Sequence, residues 1–172
     1  DTDDVWDKLF LNNLSKNLIL NNCDIVYSKY YIIDEIKDYK YINEKNPIPS
    51  GNITQNLLTN YKLGVIAVLL KKKLFNNNEF NNNYEIIGDF DFFIKSSLEY
   101  RFCAIQEPLA YYRVHNQSLS YKKLNLHINE LKIWLENNQN IYQKYNLNRI
   151  KFYRKKLQIK LLLKKIKNFL DR

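Results

Sequence analysis

The side chains able to do chemistry gather in a few short stretches. Asp1, Asp3 and Asp4 put three carboxylates within four residues at the start of the sequence. Such charges repel one another unless a cation or strong donors stand between them. Hard oxygen ligands of this kind suit Mg2+ or Mn2+, ions that bind through one or two carboxylates together with substrate phosphates. The same acids also suit a helix N-terminus, with Asp4 as its cap. Two more acids, Asp89 and Asp91, are threaded between Phe90, Phe92 and Phe93 in YEIIGDFDFFIKSS. Asp89 stands where a helix begins, a position fit for capping or for holding a catalytic base rigidly. Asp91 is spaced to pair with Lys95 on the solvent face of that helix.

Arg113 and His115, in YYRVHNQSLS, follow a strand pattern and precede a polar turn. A histidine there can bind a metal or a phosphate oxygen, or serve as a hydrogen-bonded structural residue. The last stretch, KFYRKKLQIKLLLKKIKNFL, carries Ile159, Leu162, Leu163, Ile166 and Leu170 at helical spacing among lysines. Such a helix can lie on an anionic membrane, or it can pack its apolar face on the domain and solvate the rest.

These residues need elements to position them. The leucines from Leu9 to Leu18 predict a helix over Trp6–Leu20. The β-branched and aromatic run Asp24–Asp34 predicts a strand, with a return as a second strand over Tyr39–Ile42. PIPSGN at Pro47–Asn52 is a loop, Ile53–Asn60 a short helix, and the apolar run Gly64–Leu70 a buried strand. The asparagine-rich stretch Asn76–Asn83 reads as a surface loop. Phe90, Phe93, Ile94 and Leu98 share one face of a helix over Asp89–Tyr100. Two strands follow, Arg101–Ile105 and Leu109–Val114, broken at Glu107-Pro108. Helices over Leu124–Leu135 and Ile150–Leu170 close the chain. Strands and helices that alternate and then give way to helices describe an α/β sheet with a helical C-terminal tail.

Composition agrees with one packed domain. The 172 residues are 45% hydrophobic, 26% charged and 15% aromatic, which excludes a disordered chain. The run Leu63–Leu70 is far short of the ~20 apolar residues a membrane span needs. The net charge of +9 is concentrated in Lys151–Lys167 and is not a property of the whole surface. Cys23 and Cys103 lack metal-ligand spacing and read as reduced core residues of a cytosolic protein.

Taken in order, the motifs resemble the family 2 glycosyltransferases of GT-A fold. Asp1, Asp3, Asp4 and Trp6 match an acid cluster followed by a hydrophobic residue and Trp. IVYSKYYIID matches the strand after it. Asp89 and Asp91 match an acid-aromatic-acid helix start. Leu109, Tyr112, Arg113, His115, Ser118 and Ser120 match a closing L-x-x-YR-x-H-x-x-S-x-S. Gly88 stands where many members have Glu.

The resemblance covers residues 1–120 and implies an incomplete GT-A (Rossmann-like) mixed sheet flanked by helices, with 121–172 as a helical extension. It places the family's nucleotide-binding half upstream of Asp1, so the chain reads as the acceptor-side portion. It implies a bacterial, inverting enzyme that moves a sugar from a nucleotide-diphosphate donor, most often a UDP-sugar, to a glycan or lipid-linked acceptor in cell-surface glycan synthesis. Asp89 would be the catalytic base. Asp1, Asp3, Asp4, Arg113 and His115 would face the donor diphosphate, with Asp3, Asp4 and His115 around Mn2+ or Mg2+. Asp91 and Trp6 would lie on the acceptor side. The expected location is the cytoplasm, with residues 151–170 against the inner membrane. The rival reading is a non-catalytic basic module that holds an anionic membrane or nucleic acid through its last helix. It gives Asp3, Asp4 and Asp89 no role, and the chain has no recognisable nucleic-acid motif.

Overall fold

The computed structural model describes residues 3–76, 78–115 and 123–170. Ile25–Asp34, almost wholly β-branched and aromatic, forms the central strand β2. On one side β2 pairs in parallel with β5, Phe102–Val114. On the other it pairs antiparallel with two short strands end to end. These are β3 (Tyr39–Ile42), opposite Tyr31–Asp34, and β4 (Val68–Leu70), opposite Ile25–Tyr27. A two-residue strand, β1 (Val5–Trp6), adds antiparallel to the outer edge of β5. The helices are α1 (Phe10–Leu20), α2 (Thr54–Thr59), α3 (Gly88–Glu99), α4 (Leu124–Asn137), α5 (Gln139–Tyr142) and α6 (Asn148–Leu170). The fold is thus a mixed α/β sheet flanked by helices and closed by a long C-terminal helix.

Successive side chains of a strand face opposite sides of its sheet. Ile25 and Tyr27 of β2, with Phe102 of β5, join the larger core against α2, α3, α4 and α6. Val26, Cys103, Ile105 and Ala110 join a smaller core on the other face, with Phe10 and Leu14 of α1. Residues of α4 and α6, among them Ile128, Trp134 and Leu157, belong to the same core as Phe93 and Ile94 of α3.

Several expectations need correction. Val5 and Trp6 are strand, and α1 begins only at Phe10, because the first residues pair with Ala110 and Tyr111. The expected break at Glu107-Pro108 is absent. β5 runs through as one strand, and the missing proline N–H is absorbed by two register shifts against β2 around Lys29. The Gln106 side chain braces this irregularity by exchanging two 2.9 Å hydrogen bonds with the backbone of Ile48. Gly64–Leu70 is strand only over its last three residues, after a tight turn at Val65–Ala67. Cys23 and Cys103 are joined as a disulfide across the start of the parallel pair, with Cα atoms 6.0 Å apart. That pairing removes the ground on which the chain was read as cytosolic. No helix among the described residues is long and apolar enough to cross a membrane.

Candidate functional site

The sheet topology explains why the chemical residues meet. β2 and β5 are parallel, so their C-terminal ends, Asp34 and Val114, lie together at one edge. Because β1 runs antiparallel to β5, the residues just before β1 reach that same edge. Asp3 and Asp4 are therefore delivered beside Arg113 and His115. Ligands of open α/β sheets bind outside the carboxyl ends of strands, and a cleft of about 940 Å³ opens here. Asp3, Asp4, Asp89, Tyr112, Arg113 and His115 line it.

The acidic start is no helix cap. Asp4 precedes a strand, and the turn into α1 is held by Asp7, which accepts the Leu9 N–H at 2.9 Å. Asp4 Oδ1 accepts the backbone N–H of Arg113 at 2.9 Å, and Asp3 Oδ2 lies 3.0 Å from His115 Nε2. The two acids part in proton affinity. Burial, with help from the neighbouring Asp3 charge, raises Asp4 above the ordinary carboxylate range. The Asp3 backbone N–H and the contact with His115 lower Asp3. Arg113 reaches Glu35 at 3.2 Å through one terminal nitrogen, while its Nε is buried with no hydrogen-bond partner.

Asp89 lies in the first turn of α3, one residue after the helix begins. Its Oδ1 accepts the Phe90 N–H at 2.7 Å and its Oδ2 accepts the Tyr61 hydroxyl at 3.2 Å. Burial raises the Asp89 carboxyl above its ordinary value, and these two donors oppose the rise. A raised carboxylate is the stronger proton acceptor. Asp89 also lines a second, smaller cavity of about 400 Å³ behind it, walled by Leu57, Leu58, Ile87, Leu131 and Ile150. It therefore stands between two cavities, the smaller of which also carries Asn60, Lys62, His127 and Arg149.

Asp89 is not the cap of α3. The cap residue is Ile87, which makes no side-chain capping bond. The donors there are met from α4 instead. Glu130, 3% exposed, accepts the backbone N–H groups of Glu85, Ile86 and Ile87 at 2.8, 2.9 and 3.1 Å. These three N–H groups lie in the turn that leads into α3, so the carboxylate satisfies them and sits near the positive end of the helix dipole. Glu130 thus fixes the segment that carries Asp89. Sequence spacing gave no hint of it, since it acts from more than forty residues away. Tyr61 was missed because it meets Asp89 only across the fold, 28 residues away in sequence. Gly64 has a clearer rationale. It lines the cleft where a Cβ would stand 2.8 Å from the Tyr30 ring, so any other residue must push that ring aside.

Other expected residues fall elsewhere. Asp91 does pair with Lys95 at 2.7 Å, but its side chain is fully buried and accepts the Trp134 indole N–H at 2.9 Å. It fastens α3 to α4 and cannot face an acceptor. Trp6 stacks on Phe10 and donates to the Ile66 carbonyl at 2.7 Å, steadying the cleft wall without lining it. Phe90, Phe92 and Phe93 are core residues packed away from the cleft. Asp1, Ser118 and Ser120 lie outside the described residues.

Among the described residues no group of three or more His, Cys, Asp or Glu side chains is arranged to hold a metal ion. Asp3 and His115 do converge, as a two-donor set. The two atoms are hydrogen-bonded to each other, and an imidazole nitrogen is not a ligand Mg2+ favours, so a cation held here would need the pair to part and substrate phosphates to complete it. Four acids, Asp3, Asp4, Glu85 and Asp89, line the cleft with Arg113 and His115, and Glu85 is paired with Lys123. Compared with known proteins, the chain matches no family model and no curated sequence.

Proposed function

We propose that the chain is part of an inverting, metal-dependent glycosyltransferase that moves a sugar from a nucleotide-diphosphate donor to an acceptor hydroxyl. The observation that carries this reading is the convergence of Asp3, Asp4, Asp89, Arg113 and His115 on one cleft at the carboxyl ends of β2 and β5. The first and last of these are 112 residues apart in sequence. In this reading the acceptor oxygen attacks the anomeric carbon from the face opposite the leaving group. The bond from that carbon to the diphosphate breaks, and its electron pair leaves with the diphosphate. The acceptor proton passes to the Asp89 carboxylate, whose raised affinity and fixed place on α3 suit it to receive one. Arg113, with its unpartnered Nε, would bind the diphosphate. Asp3 and His115 would hold a divalent cation, which would supply further stabilisation of the leaving charge. The second cavity that Asp89 lines, with Leu57, Leu58, Leu131 and Ile150 beside Lys62 and Arg149, supports an acceptor with both an apolar and a polar portion.

The test uses the whole gene product, with a panel of nucleotide-sugars and Mn2+. Product release should require the metal and collapse in Asp89→Asn, while calorimetric binding of UDP, or of whichever nucleotide the panel selects, survives. Undiminished turnover in Asp89→Asn would end the assignment of the base. Failure to bind any nucleotide-sugar with or without metal would end the transferase reading.

A further inference from the structure

The helix α6 has two apolar faces. At 100° per residue, Ile150, Leu157 and Leu161 lie on one side and pack into the larger core. Phe152, Ile159, Leu162, Leu163 and Ile166 fall within a narrow arc on the opposite side, and there they are 47–62% exposed. Phe152, Ile159 and Ile166 recur every seven residues along this second stripe. A helix that only roofs its domain needs one apolar face, and its outer face is ordinarily polar.

Charge selects what could cover the second stripe. α6 contains no Asp or Glu. Exposed Lys156 and Lys160 border the stripe on one flank and Lys151 borders it on the other, while Lys155 stands within it. Beside that second flank, Lys132, Lys151, Arg154 and Lys155 line a groove between α4 and α6 of about 620 Å³, in which Glu136 is the acid. The Nε of Arg154 is buried there with no hydrogen-bond partner. A second copy of this helix would bring lysine against lysine. Nucleic acid would satisfy the cations but has no use for a stripe of isoleucine and leucine. An anionic lipid surface offers phosphates to the flanks and acyl chains to the stripe.

We propose that α6 lies in the plane of an anionic membrane, with the Phe152–Ile166 stripe at the acyl boundary and the flanking cations at lipid phosphates. The groove between α4 and α6 takes one such headgroup. This docking does not depend on the transferase reading.

The test is flotation of the purified chain with vesicles of phosphatidylcholine, alone or mixed with phosphatidylglycerol. Binding is expected only to the mixed vesicles, with a shift to shorter wavelength in the emission of an Ile159→Trp variant. The pair Leu162→Asp with Leu163→Asp should weaken binding at least about tenfold while circular dichroism stays unchanged, since both positions are exposed. Lys155→Ala with Arg154→Ala should weaken binding to the mixed vesicles as well. The proposal fails if neither vesicle binds, or if the Asp pair binds as tightly as the parent, which would reduce the effect to surface charge. It fails equally if a duplex DNA competes the chain off the vesicles without loss in the Asp pair, or if the stripe instead drives self-association in sedimentation.

Discussion

Each acid of the cleft is held by a group from a distant part of the chain. Asp3 meets His115, Asp4 meets the Arg113 N–H, and Asp89 meets Tyr61. On the outer face of α6, by contrast, Ile159, Leu162 and Leu163 stand about 60% exposed with cations around them. Internal partners satisfy the first region. The second has an apolar surface that folding leaves in water. The difference teaches where a substitution will be felt. A change in the cleft should register in turnover and stability of the isolated protein. A change on the α6 stripe should be silent until a surface is offered.

The largest expected effect is that of Asp89→Asn on turnover, a loss of about 10²–10⁴-fold. The same variant should be more stable near neutral pH. Burial raises the folded carboxyl above its unfolded value, so ionised Asp89 costs the fold stability above the folded pKa. That cost disappears as pH falls below the unfolded value, and the gain from asparagine should disappear with it. Thermal melts across pH 3–8 check the sign, on the order of the carboxylate range. Next comes Glu130→Ala, which strips three backbone donors of their acceptor and should cost about 3 kcal/mol in urea unfolding. If it cost nothing, Glu130 would not be what fixes the start of α3. Gly64→Ala pushes a methyl into the Tyr30 ring and should cost about 1–3 kcal/mol, with weaker nucleotide binding.

Smaller effects sharpen the contrast. Tyr61→Phe removes a donor that lowers the Asp89 pKa, so the acid limb of the pH–rate profile should move upward by less than about one unit. A downward move would show that Tyr61 does not act on the charged form. Smallest of all, Leu163→Asp should change urea stability by less than about 0.5 kcal/mol in the absence of vesicles. A large loss there would mean that the stripe is part of the core after all.

Local patterning made much of this legible. The β-branched run marked β2, and the apolar period marked α3, α4 and α6. Asp3, Asp4, Asp89, Arg113 and His115 were found by the order of their motifs, and they line one cleft. Long-range events were invisible to the same reasoning. Trp6 reads as helix until β5 claims its backbone. Asp91 reads as solvent-facing until Trp134 of α4 covers it. Tyr61 and Glu130 carry no motif, because their role lies in which backbone or carboxylate they reach across the fold. Proline predicted a broken strand, but the sheet had room for a slipped register.

The link between Cys23 and Cys103 has a consequence for how the molecule comes apart. With a sequence separation of 80, it closes most of the sheet, together with α2 and α3, into a covalent ring. A protease that makes one cut inside the ring, for instance in the asparagine-rich loop, opens the ring without dividing the chain. The piece with Asp3 and Asp4 then stays tied to the piece with Asp89 and His115. The nicked protein should run as one band on a gel without reductant and as two bands with it.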